Sequence, residues 1–426
     1  MKIASVKGFH DVLPGDSARW TWIEQRARDL LARYGYSEIR LPIVERTELF
    51  SRSIGDTTDI VEKEMYTFDD RDGSSLTLRP EGTAALVRAY VEHAMAQREA
   101  VSKLYYLGPM FRRERPQKGR QRQFHQIGVE VIGRDDAAID AEVLLLLYDL
   151  IEALHIRTPR IELNSLGCSD CRPAYREVLR TYGEARRDSL CENCARRLER
   201  NPLRLLDCKV PSCREATADA PVMIDHLDAA CKQHFDCVRA VLDRENVPYT
   251  LSPRMVRGLD YYCRTAFEVV AEGLGSQNAV GGGGRYDGLV KELGGPDAPG
   301  IGFALGVERL VLSMADHPEA LPLSPEVFLA PLGAAAEQEA MHVAHRWRRD
   351  GLRVEMSGGG RSLKSQMRSA DKTAAPFVLI LGEDEIVAGA ATVRDMQAKR
   401  DFPKAVALTS DAAALRRALA ELAARN

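Results

Sequence analysis

Apolar positions in the first third of the chain switch between two periods. Over 16–34, Trp20, Ile23, Ala27, Leu30 and Leu31 recur three and four residues apart, which predicts a helix, and Gly35 fits its stop. Over 37–44, Ile39, Leu41 and Ile43 fall two residues apart, the period of a strand. Pro42 within that run favours an edge or an irregular position. Short strands are predicted at 66–68, 75–78, 103–107, 123–130 and 160–163. A second helix, over 138–154, carries Ile139, Val143, Leu146, Leu147 and Leu150. A mainly antiparallel sheet edged with helices accommodates these elements.

The pattern changes twice further on. From 168 to 250, helical charge patterns and clustered cysteines replace strands, which predicts an inserted helical subdomain. Strand and glycine-loop sequence returns over 255–315, and Pro318, Pro322 and Pro325 mark a linker. Beyond it, strands are expected at 327–330, 352–356 and 377–381, with helices at 335–347, 362–370, 393–399 and 411–425. That alternation reads as an α/β domain. The expected organisation is a core in two parts, 1–167 and 251–320, an insertion at 168–250, a linker at 321–325 and a last domain at 326–426.

Composition narrows the function classes. With 426 residues, 45% apolar and 28% charged, the chain suits an ordinary globular protein. A net charge of -3 argues against a non-specific nucleic-acid coat but leaves room for a local basic surface among 59 Lys and Arg. No apolar run is long enough for a bilayer, and the N-terminus lacks a continuous apolar signal segment, so a cytoplasmic location and no membrane partner are expected. The 9 cysteines do not make an exported disulfide scaffold in so long a chain. Cys168 with Cys171 and Cys191 with Cys194 form two C-x2-C pairs, a spacing suited to four tetrahedral zinc ligands, with Cys208 and Cys213 nearby. Reduced cysteines inside a helical domain are the alternative.

Five constellations carry candidate chemistry. Arg112, Arg113 and Arg115 flank Glu114 and precede Arg120, Arg122, Gln126 and Glu130. Their forked donors suit phosphate, and a carboxylate there suits a substrate amine or phosphate-bound Mg2+; a solvated charged loop is the alternative. In Arg79-Pro80-Glu81-Gly82-Thr83, Glu81 either receives an ammonium group or is a surface acid beside a helix cap. In Arg257-Gly258-Leu259-Asp260-Tyr261-Tyr262, the adjacent tyrosines cannot share a face in a regular strand, so one lines a pocket or a core and the other does not. The glycines 281–284 before Arg285 and Tyr286 lack Walker spacing and its lysine, and a flexible turn is the better reading from spacing alone. Gly302, Gly306 and Arg309 suggest a strand entering a helix, with an arginine either at a nucleotide or in solvent.

Taken in order, these segments resemble the class II aminoacyl-tRNA synthetases, and specifically bacterial histidine–tRNA ligases, over essentially the whole chain. Phe9-His10-Asp11 with Pro14-Gly15 looks like the family's start. The stretch 35–50 resembles motif 1, a dimer-interface element; 111–116 and 124–130 resemble motif 2; 302–310 resembles motif 3. The narrower match lies in 257–262 and 283–289, which are similar to the two histidine-specific motifs, and in 79–83, similar to the amino-acid-binding loop. Ser362-Leu363-Lys364-Ser365-Gln366-Met367, Ala370-Asp371-Lys372 and Gly382-Glu383-Asp384-Glu385 resemble the anticodon domain.

The resemblance implies an α+β class II catalytic core with a six-stranded antiparallel sheet, a helical insertion and a C-terminal α/β anticodon-binding domain. It implies that Arg112, Arg120, Arg309 and Glu130 bind ATP, and that Glu81, Thr83, Gln126, Glu130, Arg257, Tyr261, Tyr262 and Tyr286 surround histidine. Arg257 and Arg112 would supply catalytic electrostatics at the reacting carboxylate and α-phosphate. Implied partners are L-histidine, ATP with Mg2+, tRNA(His) and a second copy in a homodimer. Zinc is not generally required by the family, so the resemblance weakens the four-cysteine reading and leaves the active-site reading intact.

Overall fold

A long antiparallel hairpin organises the first part of the chain. Its strands, Ser102–Phe111 and Gln123–Ile132, pair from Ser102 opposite Ile132 to Phe111 opposite Gln123. Residues 127–132 are buried on both faces, so the inner half of the second strand carries no alternation. Both strands therefore run past the ends that period-two patterning indicates. The arginine-rich segment 112–122 forms the connection at the open end of this hairpin.

This computed structural model describes residues 3–424 except 56, 57, 59, 273, 275–277, 359 and 403–404, and leaves the side chains of 200 and 318 undescribed. The contacts divide the chain into two units, Met1–Leu321 and Pro322–Asn426. In the first, the sheet strands in chain order are β1 (Ser37–Glu38), β2 (Ser102–Phe111), β3 (Gln123–Ile132), β4 (Arg160–Ser165), β5 (Tyr249–Leu251), β6 (Cys263–Val270), β7 (Ala279–Arg285) and β8 (Gly300–Gly306). Their spatial order is β1-β2-β3-β8-β7-β6-β4-β5. The six inner strands are antiparallel, as the family resemblance implies, and the short outer strands β1 and β5 join in parallel.

One face of the sheet is covered by helices α1 (Asp16–Arg33) and α2 (Ala137–Ala153), whose Ile23, Ala27, Leu31, Val143, Leu147 and Leu150 join Val129, Phe303 and Leu305 in the main core. The side chain of Asp136 caps α2 by accepting from the Ile139 amide at 3.2 Å.

Several expectations are corrected here. The run 37–44 is not one strand: it breaks into β1 and a separate strand, Val44–Arg46. Pro42 has no N–H to donate, and the carbonyls of Leu41 and Pro42 are instead taken by Arg79 Nη1, at 2.9 and 3.3 Å. The glycines 281–284 are no flexible turn, because β7 lies in the interior of the sheet. A Cβ at Gly283 would meet the Gly302 carbonyl oxygen at 2.0 Å, so only glycine lets β7 and β8 approach this closely.

The segment 168–250 has two destinations. Helices Cys171–Glu184 and Glu192–Arg200 share a small core with Tyr175, Leu179, Leu198 and Leu205. Helix Ala229–Arg244, however, places Phe235, Val238 and Leu242 in the main core, and β5 follows it at the sheet edge. The four cysteines 168, 171, 191 and 194 do not form one site. Cys168 and Cys171 converge with Asp228 and Cys231, whereas Cys191 and Cys194 converge with Cys208 and Cys213. The 14-residue helix Cys171–Glu184 is about 21 Å long, and the second pair follows its far end.

In the second unit, parallel strands Val354–Met356, Val327–Pro331 and Phe377–Leu381 are extended by antiparallel Ala390–Asp395. The helix expected over 393–399 is absent, since Val393 sits buried on that last strand, opposite Leu379. A helix that the pattern missed, Glu383–Ala388, starts where Glu385 accepts from the Gly382 amide and stops at Gly389, whose φ is 63°. The terminal helix runs over Ala412–Ala424; Arg425, expected within it, lies outside the described residues.

Candidate active site

The sheet positions a cleft of about 230 Å³ over β3, β8 and β7. Arg112, Arg120, Arg309, Glu81, Thr83, Gln126, Arg257, Tyr261 and Tyr262 all line it. Its floor includes Gly281 and Gly282, where missing side chains let a ligand reach the backbone. A Cβ on Gly282 would lie 2.8 Å from Arg257 Nη1, so this glycine also clears the space that Arg257 occupies.

Arginines gather around the hairpin connection. Arg120 Nη1 donates to Glu114 at 2.9 Å, and Arg112 lies 3.9 Å from the same carboxylate. Arg112 is fixed by donating its Nε to the Pro80 carbonyl at 2.8 Å, with its guanidinium 5.3 Å from the centre of the Phe124 ring. Arg309, from helix Val307–Ser313, donates to the carbonyls of Ala279 and Gly119, at 2.5 and 3.3 Å. Burial, and then the neighbouring charge of Arg120, pull the pKa of Arg309 below the usual guanidinium value. An anionic ligand would relieve both effects.

A second group surrounds Arg257. Its Nη1 donates to Glu268 at 2.5 Å, and its guanidinium sits 5.3 Å from the Tyr262 ring centre. The segment 257–262 is a turn and not a strand. The alternation argument therefore does not apply, and both tyrosines face the cleft, with ring centres 4.7 Å apart. Tyr261 also meets Tyr286 edge-on, at 5.9 Å.

Glu81 is a helix cap, but a buried one. Its carboxylate accepts the amides of Thr83 and Ala84, at 2.6 and 2.9 Å, at the start of helix Thr83–Glu92. Burial nonetheless raises its pKa. Glu130 and Tyr286 are joined to the cleft lining through Thr83 and Tyr261. Thr83 Oγ1 and Tyr286 OH each donate to a different oxygen of Glu130, at 2.6 Å, and Glu130 is 1% exposed.

Burial pushes the Glu130 pKa up to about 8. A carboxyl with a raised folded pKa contributes stability at low pH that is lost as pH rises from the unfolded value, near 4.5, through 8. Glu130→Gln is therefore expected to unfold at a higher temperature than the parent at pH 8, by an amount equivalent to roughly 1–3 kcal/mol. The gap should shrink toward pH 5. Melting curves across this range check it, and a pH-independent difference would contradict the assignment.

Four lining residues carry buried polar atoms without a hydrogen-bond partner: Tyr106 OH, Gln121 Oε1, Gln126 Oε1 and Arg257 Nε. Buried groups of this kind are normally satisfied, so their convergence on one cleft marks the place of a polar ligand. Sequence reading did not find Tyr106, Gln121 or Glu268. A trace of Tyr106 exists in Gly82 and Gly128, whose added Cβ atoms would lie 2.2 and 2.0 Å from its ring. Glu268 gave no signal beyond an ordinary strand acid. Glu308 is a further support: its carboxylate accepts the His125 amide at 3.0 Å and approaches His125 Nδ1 at 3.0 Å, locking the Arg309 helix to β3. Among the described residues, the side-chain groups able to hold a metal are the two cysteine clusters.

The family model described as Histidyl-tRNA synthetase matches residues 8–310, and the one described as Anticodon binding domain matches 326–413. The histidine–tRNA ligase of Syntrophotalea carbinolica is 57% identical over 396 residues, covering 93% of this chain and 94% of its own. That of Trichlorobacter lovleyi is 54% identical over 415 residues, covering 97% and 99%. The crystal structure of apo S. aureus histidyl-tRNA synthetase superposes with a TM-score of 0.80 at 35% identity, covering 96% of this chain and 98% of that one. With arginines, paired tyrosines and unsatisfied polar groups meeting in one cleft on a class II sheet, and with matches over most of its length, this chain belongs to the histidyl-tRNA synthetase family.

Proposed function

We propose that this chain activates L-histidine with ATP to histidyl-adenylate and transfers the histidyl group to tRNA(His), releasing diphosphate and AMP. The observation that carries the reading is the shared cleft of Arg112, Arg120 and Arg309 with Arg257, Tyr261 and Tyr262. In the first step, the histidine carboxylate attacks the α-phosphorus and diphosphate leaves. Charge grows on the α-phosphate oxygens, where Arg112 and Arg257 would stabilise it, while Arg120 and Arg309 hold the phosphate chain. No side-chain nucleophile is needed, because positioning and electrostatics suffice. Mg2+ arrives as part of the MgATP substrate, and Glu114, set between Arg112 and Arg120, is the carboxylate beside the phosphate arginines.

Selection of histidine would fall to the polar lining beside the tyrosines. Gln126 and the carboxylate of Glu81 offer polar partners to the substrate's amine or ring nitrogens. A site that hydrogen-bonds these nitrogens rejects an apolar amino acid, since the site's own groups would stay unpaired. Thr83, Glu130 and Tyr286 act as a chain that sets this wall in place.

In the second step, a terminal ribose hydroxyl of the tRNA attacks the activated carbonyl, with AMP as leaving group. The unit from Pro322 onward would read the anticodon, whose exposed bases suit recognition by hydrogen bonding and stacking. We further propose a homodimer through the 35–50 region, where Ile43 and Val44 are exposed apolar residues with Phe68 on the same small sheet. A cytoplasmic setting fits a chain in which no described helix is long and apolar enough to cross a membrane. Charging of purified tRNA(His) with labelled histidine tests the second step. Acid-stable label on the tRNA 3′ end is expected, and formation of adenylate with no transfer would overturn it.

A further inference from the structure

Seven of the nine cysteines fall into two tight groups, outside the cleft. The first comprises Cys191, Cys194, Cys208 and Cys213; the second comprises Cys168, Cys171, Cys231 and the carboxylate of Asp228. Within each group, one ligand atom from every residue lies within 4.8 Å of all the others. We infer that each group binds one zinc ion, so that the insertion carries two structural metal sites.

The spacing fits a tetrahedral ion. Ligands about 2.3 Å from zinc stand about 3.8 Å apart at tetrahedral angles. Cys168 and Cys171 Sγ are 3.4 Å apart, and Cys191 and Cys208 Sγ are 4.0 Å apart, well beyond a disulfide bond of about 2.05 Å. Backbone amides point at the sulfurs: Cys191 N donates to Cys213 Sγ at 2.8 Å, and Asp170 N to Cys168 Sγ at 3.3 Å. Such donors favour thiolates, which are the form that binds metal.

Asp228, an exposed residue, supplies the fourth candidate ligand of the second group. One carboxylate oxygen lies 3.2 Å from Cys168 Sγ and 2.9 Å from Cys171 Sγ. The other accepts the Cys231 amide at 2.7 Å and so caps helix Ala229–Arg244. The cap occupies only one of its oxygens, and a divalent cation accounts for the other being turned to two sulfurs, since it brings three thiolates and a carboxylate together. Cys168 lies in the loop leading into helix Cys171–Glu184 and Cys171 is its first residue; Asp228 and Cys231 start the helix that packs into the main core. The ion would join these two helix starts. Arg172, the residue after Cys171, donates to the Tyr262 carbonyl, so the same helix start holds the turn that lines the cleft.

The other site joins elements too short to be stable alone, the 9-residue helix Glu192–Arg200 and the 6-residue helix Pro211–Ala216. Zinc would supply folding energy to a segment with only a small core of its own.

The test is native mass spectrometry with metal analysis of the untagged full-length protein, produced in zinc-supplemented medium and purified without chelator. About two zinc ions per chain are expected. Cys194→Ser with Cys213→Ser should leave about one, and Asp228→Ala with Cys231→Ser should also leave about one. Should either pair fail to fold, titration of the parent with an organomercurial decides. Zinc should then be released as the clustered thiols react, and not as Cys237 and Cys263 do. A parent with no bound zinc, whose thiols all titrate without metal release, overturns both sites. A parent that holds only one ion, and keeps it through the Asp228 and Cys231 changes, overturns the second.

Discussion

Arg257→Ala is expected to slow single-turnover formation of histidyl-adenylate by roughly 10²–10³-fold, the usual effect of removing one preorganised donor from a developing oxyanion. The protein should remain folded. Glu268, the partner left behind, keeps a 31% exposed side chain and can be rehydrated. Tyr262 loses a cation at 5.3 Å, a small change in packing beside the loss of positive charge from the cleft. Arg257→Lys should restore only part of the rate, because an ammonium lacks the planar fork that reaches two oxygens at once. Rapid-quench measurement at saturating ATP and histidine separates this from weakened binding. A parent-like rate for Arg257→Ala would remove the residue from the chemistry.

The second large effect is on stability. Asp140→Ala should destabilise the first unit by about 3–5 kcal/mol. Asp140 is fully buried on α2 and receives three partners from three other elements. Arg285 from β7 donates to one oxygen at 2.8 Å through Nε; Thr265 from β6 donates to the other at 2.6 Å; His234 from helix Ala229–Arg244 meets it at 2.7 Å. Removing the carboxylate strands the fully buried Arg285 in the interior with Asp287 as its remaining ion-pair partner, at 2.7 Å. Urea unfolding followed by tryptophan fluorescence reports the change, since Trp20 and Trp22 lie on α1 in this unit. A shift below about 1 kcal/mol would mean that Arg285 is satisfied without Asp140.

What could be read from the sequence followed from what spacing encodes. The arginine cluster was legible because 112–122 concentrates forked donors between two strand-like runs, and such a connection presents them together. Strand ends were less legible: β2 and β3 are buried on both faces where they cross the core, so alternation fades there. The four glycines of β7 misled for the opposite reason, since residues without side chains have no pattern to show, and their role is close approach to β8 and to Arg257.

Tertiary partners were the least legible. Tyr261 and Tyr262 share the cleft because a turn, not a strand, carries them. Glu130 is the residue type expected at an amine or a metal, but its hydrogen bonds with Thr83 and Tyr286 had no signal in the spacing. The cysteine pairs showed a spacing that suits metal ligands but not which pairs meet, which depends on the length and direction of helix Cys171–Glu184.

Amino-acid-dependent exchange of labelled diphosphate into ATP, run without tRNA over a panel of amino acids, probes the whole proposal at its root. Exchange is expected with histidine and Mg2+, with apolar and other aromatic amino acids near background. Absence of exchange with histidine in folded protein, or equal exchange with phenylalanine, would contradict a cleft in which ATP lies beside a bound imidazole.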